Sequence, residues 1–241
     1  MHMKNTPPPQ ALKQCLAFAA LAAFCSVPAF AQEVAVPAPA NDSGWNHSVG
    51  IELFYGTPTD DLADGAGEKV EIGGFNVRYT VKAESLLKSD AFVPEFFAIA
   101  GFGYGEYDET SYYTSYYYSY SEKIEADVSQ AQLAVGANLR WQATESFSAF
   151  VGARVGLGYL SVDATAKLDG SKYFDDDDSD VGFLYGVGVG VEYAFNEHHA
   201  VTLGYDFVGS TAEPKVSDGS YGFKAEEQNY HMFSVGYKYT F

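Results

Sequence analysis

Apolar and polar residues alternate over most of this chain beyond residue 44. The run 181–195 sets Val181, Phe183, Tyr185, Val187, Val189, Val191 and Tyr193 against Gly182, Gly186, Gly188, Gly190 and Glu192. A period of two is the mark of a strand whose faces meet different surroundings. Eight segments carry it: 45–56, 69–82, 92–107, 122–142, 146–167, 181–195, 200–210 and 228–241. In the fourth, Leu133, Val135, Leu139 and Trp141 oppose Gln132, Gly136, Asn138 and Arg140. In the fifth, Val151, Val155, Leu157 and Tyr159 oppose Gly152, Arg154, Gly156 and Gly158. In the second, Phe75, Val77, Tyr79 and Val81 oppose Asn76, Arg78, Thr80 and Lys82. The second segment begins out of step, with Val70 and Ile72 on the opposite parity, and a bulge at Gly73–Gly74 is expected to repair it.

The segments are mostly longer than the 9–11 residues with which a tilted strand crosses a bilayer. Arginine at the middle of a lipid-facing surface costs about 2–4 kcal/mol. The glycine-and-charge face therefore belongs inside and the apolar face against hydrocarbon. Glu52, Arg78, Lys82, Arg140, Arg154, Glu192, Asp206 and Lys238 then line the interior. They read first as paired structural charges, with a narrow ion path as the competing reading. Connectors alternate in length: 57–67, 83–91, 108–121, 143–145, 168–180, 196–199 and 211–227. Short turns on one side and long loops on the other suit a membrane barrel. Trp45, Tyr79, Trp141, Phe147, Phe195 and Phe241 fall at turn ends, and Tyr55, Tyr104, Tyr159, Tyr205 and Phe233 nearer loop ends, as two waterlines would place them. The expected fold is all-β, an eight-stranded antiparallel up-and-down transmembrane barrel with short periplasmic turns and longer extracellular loops.

The first 31 residues read as an export signal: Lys4 and Lys13, an apolar run 15–27, and the small-x-small ending Ala29-Phe30-Ala31. Residues 32–43, rich in Pro and Ala, read as a periplasmic leader and 44–241 as the barrel. Both cysteines, Cys15 and Cys25, lie inside the signal. Neither follows the small residue a lipoprotein signal wants, so no disulfide or thiol chemistry is expected in the mature chain. The chain has net charge −18, and loss of two signal lysines with no acid makes it −20. That excludes a nucleic-acid binder, which needs a basic face.

The chain ends VGYKYTF, with Val235, Tyr237, Tyr239 and Phe241 alternating with small or polar residues. A signal, eight alternating strands and this ending resemble the small outer-membrane barrels of Gram-negative bacteria, the OmpA-like and OmpX-like porin superfamily. The resemblance covers essentially all of 44–241. It implies outer-membrane residence among lipid and lipopolysaccharide, and a last strand read by the barrel-assembly machinery through Tyr237, Tyr239 and Phe241. The chain departs from the full-length OmpA type by ending at the barrel, which speaks against a cell-wall tether.

Two constellations remain. Tyr112, Tyr113, Tyr116, Tyr117, Tyr118 and Tyr120 put six tyrosines in ten residues. They read as a contact loop for an extracellular ligand or host surface, or as a hairpin that continues its strands above the membrane. Asp175, Asp176, Asp178 and Asp180 form an acidic loop and a weak Ca²⁺ candidate. Their spacing fails the EF-hand template, since Gly182 is one place late. No histidine sits on the inner face beside a serine and a carboxylate, as a triad requires. The expectation is a monomeric, cofactor-free, non-catalytic barrel serving envelope integrity and adhesion. A small pore and a lipid A-modifying enzyme are the alternatives. N-terminal sequencing of the protein from purified outer membranes is expected to begin at Gln32, and a retained Met1 would overturn the export reading.

Overall fold

The computed structural model describes residues 45–59, 69–87, 89, 91–115, 118–217, 222–224 and 228–241. The signal, the leader, Tyr116 and Tyr117 lie outside the described residues. Ten strands follow one another among those described: β1 (Trp45–Pro58), β2 (Ile72–Ala83), β3 (Phe92–Thr114), β4 (Ser119–Gln142), β5 (Phe147–Leu168), β6 (Ser171–Ala194), β7 (His199–Ser210), β8 (Lys215–Ser217), β9 (Gly222–Lys224) and β10 (Gln228–Thr240). Eight close a barrel in the order β1-β10-β7-β6-β5-β4-β3-β2, while β8 and β9 pair with each other. Every barrel pairing is antiparallel, including the β1–β10 seam from Ser48↔Thr240 to Pro58↔Tyr230.

The outward face carries the expected apolar belt. Leu133, Val135, Leu157, Phe183, Val187 and Phe241 are all more than half exposed, which in water would be an aggregating surface. Inside at the same level lie Glu52, Glu95, Arg140, Arg154 and Glu192, all buried.

The wall is uneven in height. β3, β4, β5 and β6 have 23, 24, 22 and 24 residues. The other barrel strands have 12–14. Ten further residues add roughly 30 Å of strand, so four strands rise as a sheet beyond the rest. Residues 108–114 and 119–121 thus continue β3 and β4, in keeping with the hairpin reading of the tyrosine run, and the expected loop 168–180 is strand on either side of a tight turn. β3 pairs with β4 up to Thr114↔Ser119. β5 turns into β6 through Asp169–Gly170, both at positive φ (47° and 78°), the conformation of a two-residue type I′ hairpin. This corrects the acidic stretch from loop to strand.

Above the belt the polarity of the two faces inverts while the alternation of the strands continues. On β4 the outward residues change from Leu133 to Ser129, Asp127, Glu125 and Lys123. The inward ones change from Arg140 and Gln132 to Val128, Ala126 and Ile124. On β5, Leu157 and Tyr159 give way to Ser161, Asp163 and Lys167 outside, and Arg154 gives way to Leu160, Val162 and Ala164 inside. The register aligns the change at Tyr104↔Ser129, Ser129↔Ser161 and Ser161↔Ser179. Below that row the outer medium is hydrocarbon; above it the outer medium is water, and the apolar face turns inward.

The same inversion removes the bulge expected at Gly73–Gly74. β2 pairs in unbroken register with β1 and β3 there. Val70 and Ile72 point inward because the upper interior is apolar. The register shift that does occur lies between Ala166 and Lys167, opposite Tyr173.

Leu133→Arg is expected to cost about 2–4 kcal/mol, while Asp127→Arg, six residues along the same face and above the inversion, should change stability by less than about 0.5 kcal/mol. Urea unfolding in lipid vesicles, read by heat-modifiable gel mobility, compares them; equal costs would refute the inversion.

Candidate functional site

The lumen is layered. Lowest, β4 presents Arg140 to Glu95 of β3 and Glu192 of β6. Its Nε lies 2.6 Å from Glu95 Oε1, and its Nη2 lies 3.1 Å from Glu95 Oε2 and 2.9 Å from Glu192 Oε2. Ser148 accepts from Nη1, and Lys238 of β10 donates to Glu192. The next layer pairs Arg78 of β2 with Glu52 of β1 at 2.6 Å, the guanidinium lying 4.4 Å from the centre of the Phe97 ring. Between them and the top, Arg154 of β5 approaches Asp206 of β7 at 3.9 Å. Each barrel strand contributes one of these charged groups, so the network ties the wall together across the barrel axis.

Above it sits an apolar layer: Phe54, Ile72, Ala134, Leu184, Val208, Tyr230 and Met232, each 5% exposed or less. The cavities lining these layers are small. One of about 20 Å³ lies among Glu52, Arg78, Arg140, Glu192 and Lys238. Another, about 10 Å³, lies beside Arg154 and Asp206. A third, about 20 Å³, lies by Gln132, Leu184 and Tyr230. A single water needs roughly 10–15 Å³.

The protruding sheet is banded outside. Register sets Glu106, Asp127, Asp163 and Asp177 side by side across β3–β6, and Asp108, Glu125, Thr165 and Asp175 in the row above. Like charges directly opposite destabilise a sheet. The upper row is relieved by lysines: Lys123 lies 2.9 Å from Asp108 and also bonds Glu125, Lys167 bonds Glu125, and Lys172 lies 2.6 Å from Asp175. Hydrogen bonds from Lys123 and Lys167 push the Glu125 carboxyl down to about 2. In the lower row, burial and then the carboxylates of Asp127, Asp177 and Asp175 hold Asp163 above the ordinary aspartate value.

The inner face of this sheet is covered by residues 211–217. Asp180, Asp178 and Asp176, at alternate positions of β6, accept the backbone N–H of Glu213 (2.9 Å), Lys215 (2.6 Å) and Ser217 (2.6 Å). Ala212, Pro214 and Val216 between them are buried against Val128, Leu160, Val162 and Phe174.

The family model for the outer membrane protein beta-barrel domain matches residues 17–241. The chain belongs to this family. As an outer-membrane barrel it resides among the lipid and lipopolysaccharide of a Gram-negative envelope. No curated protein matches it. Among solved structures it is similar to the attachment invasion locus protein Ail of Yersinia pestis, with 14% identity, 81% of this chain and 98% of that one covered, and TM-score 0.44. It is also similar to the outer membrane protease OmpT of Escherichia coli, with 12% identity, 81% and 97% covered, and TM-score 0.47. A third is OprG of Pseudomonas aeruginosa, with 16% identity, 81% and 96% covered, and TM-score 0.39.

The barrel brings together the lumen residues named from sequence: Glu52 with Arg78, Arg140 with Glu192, and Arg154 loosely with Asp206. The sequence reading omits Glu95, the main partner of Arg140. Counting back by twos from the inward Gly101, Gly103 and Gly105 finds it. The calcium candidates are not brought together. Asp176, Asp178 and Asp180 face inward on backbone donors, whereas Asp175 faces outward on Lys172, and no metal-holding group of three acids, histidines or cysteines occurs among the described residues. Tyr113 and Tyr120 pair across the β3–β4 hairpin with rings 4.8 Å apart, Tyr118 stacks on Tyr120, and Tyr112 points to solvent. Tyr237, Tyr239 and Phe241 face lipid at the turn end. His47, His199 and His231 each bond a tyrosine, Tyr79, Tyr237 and Tyr205, and His198 bonds the Thr240 carbonyl.

Arg140→Ala leaves Glu95 and Glu192 buried without their guanidinium and is expected to cost about 3–5 kcal/mol. Asp163→Asn should stabilise the sheet at neutral pH, because the raised group resists ionising when folded. The advantage should shrink as pH falls through that raised value, where Asp163 takes up its proton in the folded sheet. Urea titrations of both variants across pH check this; an advantage of the Asp163→Asn variant that grows in acid would contradict it.

Proposed function

We propose that this outer-membrane barrel is a closed, non-catalytic scaffold that holds a rigid four-stranded sheet above the outer leaflet for surface contact. The observation that carries this reading is the contrast between the two ends of the wall. The lumen is filled by a charged layer and then an apolar one, with cavities the size of one water. That favours a structural interior over a path for solutes. The sheet, by contrast, extends four strands well past the other barrel strands and out of the bilayer, and its own core makes it stiff. A preordered surface loses little freedom on binding, and the paired tyrosines at its tip offer broad amphipathic contact.

The same geometry speaks against catalysis. The histidines are held by tyrosines or backbone, and the interior carboxylates by arginines or lysine. The last strand, with Tyr237, Tyr239 and Phe241 turned to lipid, fits the role of assembly signal. Adhesion of cells through an extracellular ligand or host surface is the contact we assign to the sheet tip.

Deleting residues 112–121 should lower adhesion of expressing cells while heat-modifiable mobility persists. The purified barrel should give no stable current steps in a planar bilayer, and lipid A from overexpressing cells should be unmodified. Undiminished adhesion, steady conductance or altered lipid A would each overturn the corresponding part.

A further inference from the structure

We infer that residues 211–217 are a strap over the outward end of the molecule, latched by the aspartate ladder of β6 and released by acid. The ladder imitates a strand edge. Asp176, Asp178 and Asp180 project from β6 on one side, about 7 Å apart along the strand. The N–H groups of Ser217, Lys215 and Glu213 recur at the same interval on a segment running the opposite way. Carboxylates thus replace the carbonyls that a neighbouring strand would supply, and each bond is charge-assisted.

The strap has two further anchors. Thr211 and Phe183 exchange bonds, N–H to carbonyl at 3.0 Å and N–H to hydroxyl at 2.8 Å. Gly182 makes room for the crossing: a Cβ there would lie 2.1 Å from the Ala212 nitrogen. Beyond Thr211 the ladder, the pairing of β8 with β9 and the buried Ala212, Pro214 and Val216 hold the segment. Lifting it bares Val128, Leu160, Val162 and Phe174 to water. The ladder is therefore the part of the strap's grip that a proton can remove.

The surroundings leave that switch little buffered by other charges. Toward the ladder, β5 presents Leu160, Val162 and Ala164, the direct partners of Asp180, Asp178 and Asp176. The strap itself contributes Glu213 and Lys215. The outer faces of β5 and β6 contribute Asp163, Asp175 and Asp177, with Lys172 on Asp175. The backbone donors of Lys215 and Ser179 hold the Asp178 carboxyl below the ordinary aspartate value. A lowered folded value means that the Asp178 bond contributes its full stability above the ordinary aspartate range and loses it as pH falls through the lower folded value.

The test is amide hydrogen exchange of residues 211–217 in the full-length barrel in lipid vesicles, expressed as protection relative to the intrinsic rate at each pH. One variant replaces Asp176, Asp178 and Asp180 by Ala; a second replaces them by Asn, which still accepts but does not titrate. Wild type should be protected at neutral pH and lose protection as the pH is taken down through the range in which aspartates protonate. The Ala variant should lose protection at neutral pH, by on the order of tenfold for each bond removed. The Asn variant should stay protected and show no loss in acid. Heat-modifiable mobility verifies that both remain folded. Unchanged protection in the Ala variant would overturn the latch, and an acid loss in the Asn variant equal to wild type would overturn the acid release.

Discussion

The change of medium along each strand governs this structure. Where the outer face meets hydrocarbon, every apolar side chain gains by pointing outward and every charge must turn in. A few residues further along the same strand the outer face meets water, and the preference reverses. β4 and β5 pass through the boundary without a bulge, and only the chemical character of their two faces is exchanged. Backbone hydrogen bonding continues across it because strand pairing does not depend on which face is wet.

Two different interiors follow. Within the bilayer the lumen receives the polar residues, and they survive burial by pairing: Arg140 with Glu95 and Glu192, Arg78 with Glu52. Above it, the inward face is apolar and needs a cover, because four strands standing alone would leave Val128, Val162 and Phe174 in water. Residues 211–217 supply that cover. β9 pairs with 215–217 on one side, and on the side of β6 the backbone donors of Glu213, Lys215 and Ser217 are met by carboxylates. The acidic stretch that looked like a solvated loop is thus a structural edge.

The barrel itself was legible in the sequence because period-two alternation and the glycine-and-arginine face depend on local order alone. The eight strands, their antiparallel order and the inward placing of Glu52, Arg78, Arg140 and Glu192 follow from it, while the pairing among them comes from the structure. Of the upper sheet, only the β3–β4 hairpin was among the readings the sequence offered; the β5–β6 half and the inversion were not. The sheet's outward residues, such as Asp127 and Asp163, are polar, and its inward ones, such as Ala126, Ala164 and Ala166, are small, so the alternation fades just where the medium changes. For the same reason Val70 and Ile72 looked out of step. The row Glu106–Asp127–Asp163–Asp177 arises from register across four strands, which no single segment reveals. The meeting of Asp176, Asp178 and Asp180 with 213–217 depends on a fold-back some 37 residues distant in the chain.

The most direct measurement is the accessibility of spin labels placed singly at 127, 133, 157 and 163 in lipid vesicles, compared between molecular oxygen and a water-soluble nickel chelate. Labels at 133 and 157 are predicted to collide mainly with oxygen, and those at 127 and 163 mainly with nickel. A label at 127 as oxygen-rich as one at 133, or a label at 157 open to nickel, would contradict a change of medium between Leu133 and Asp127.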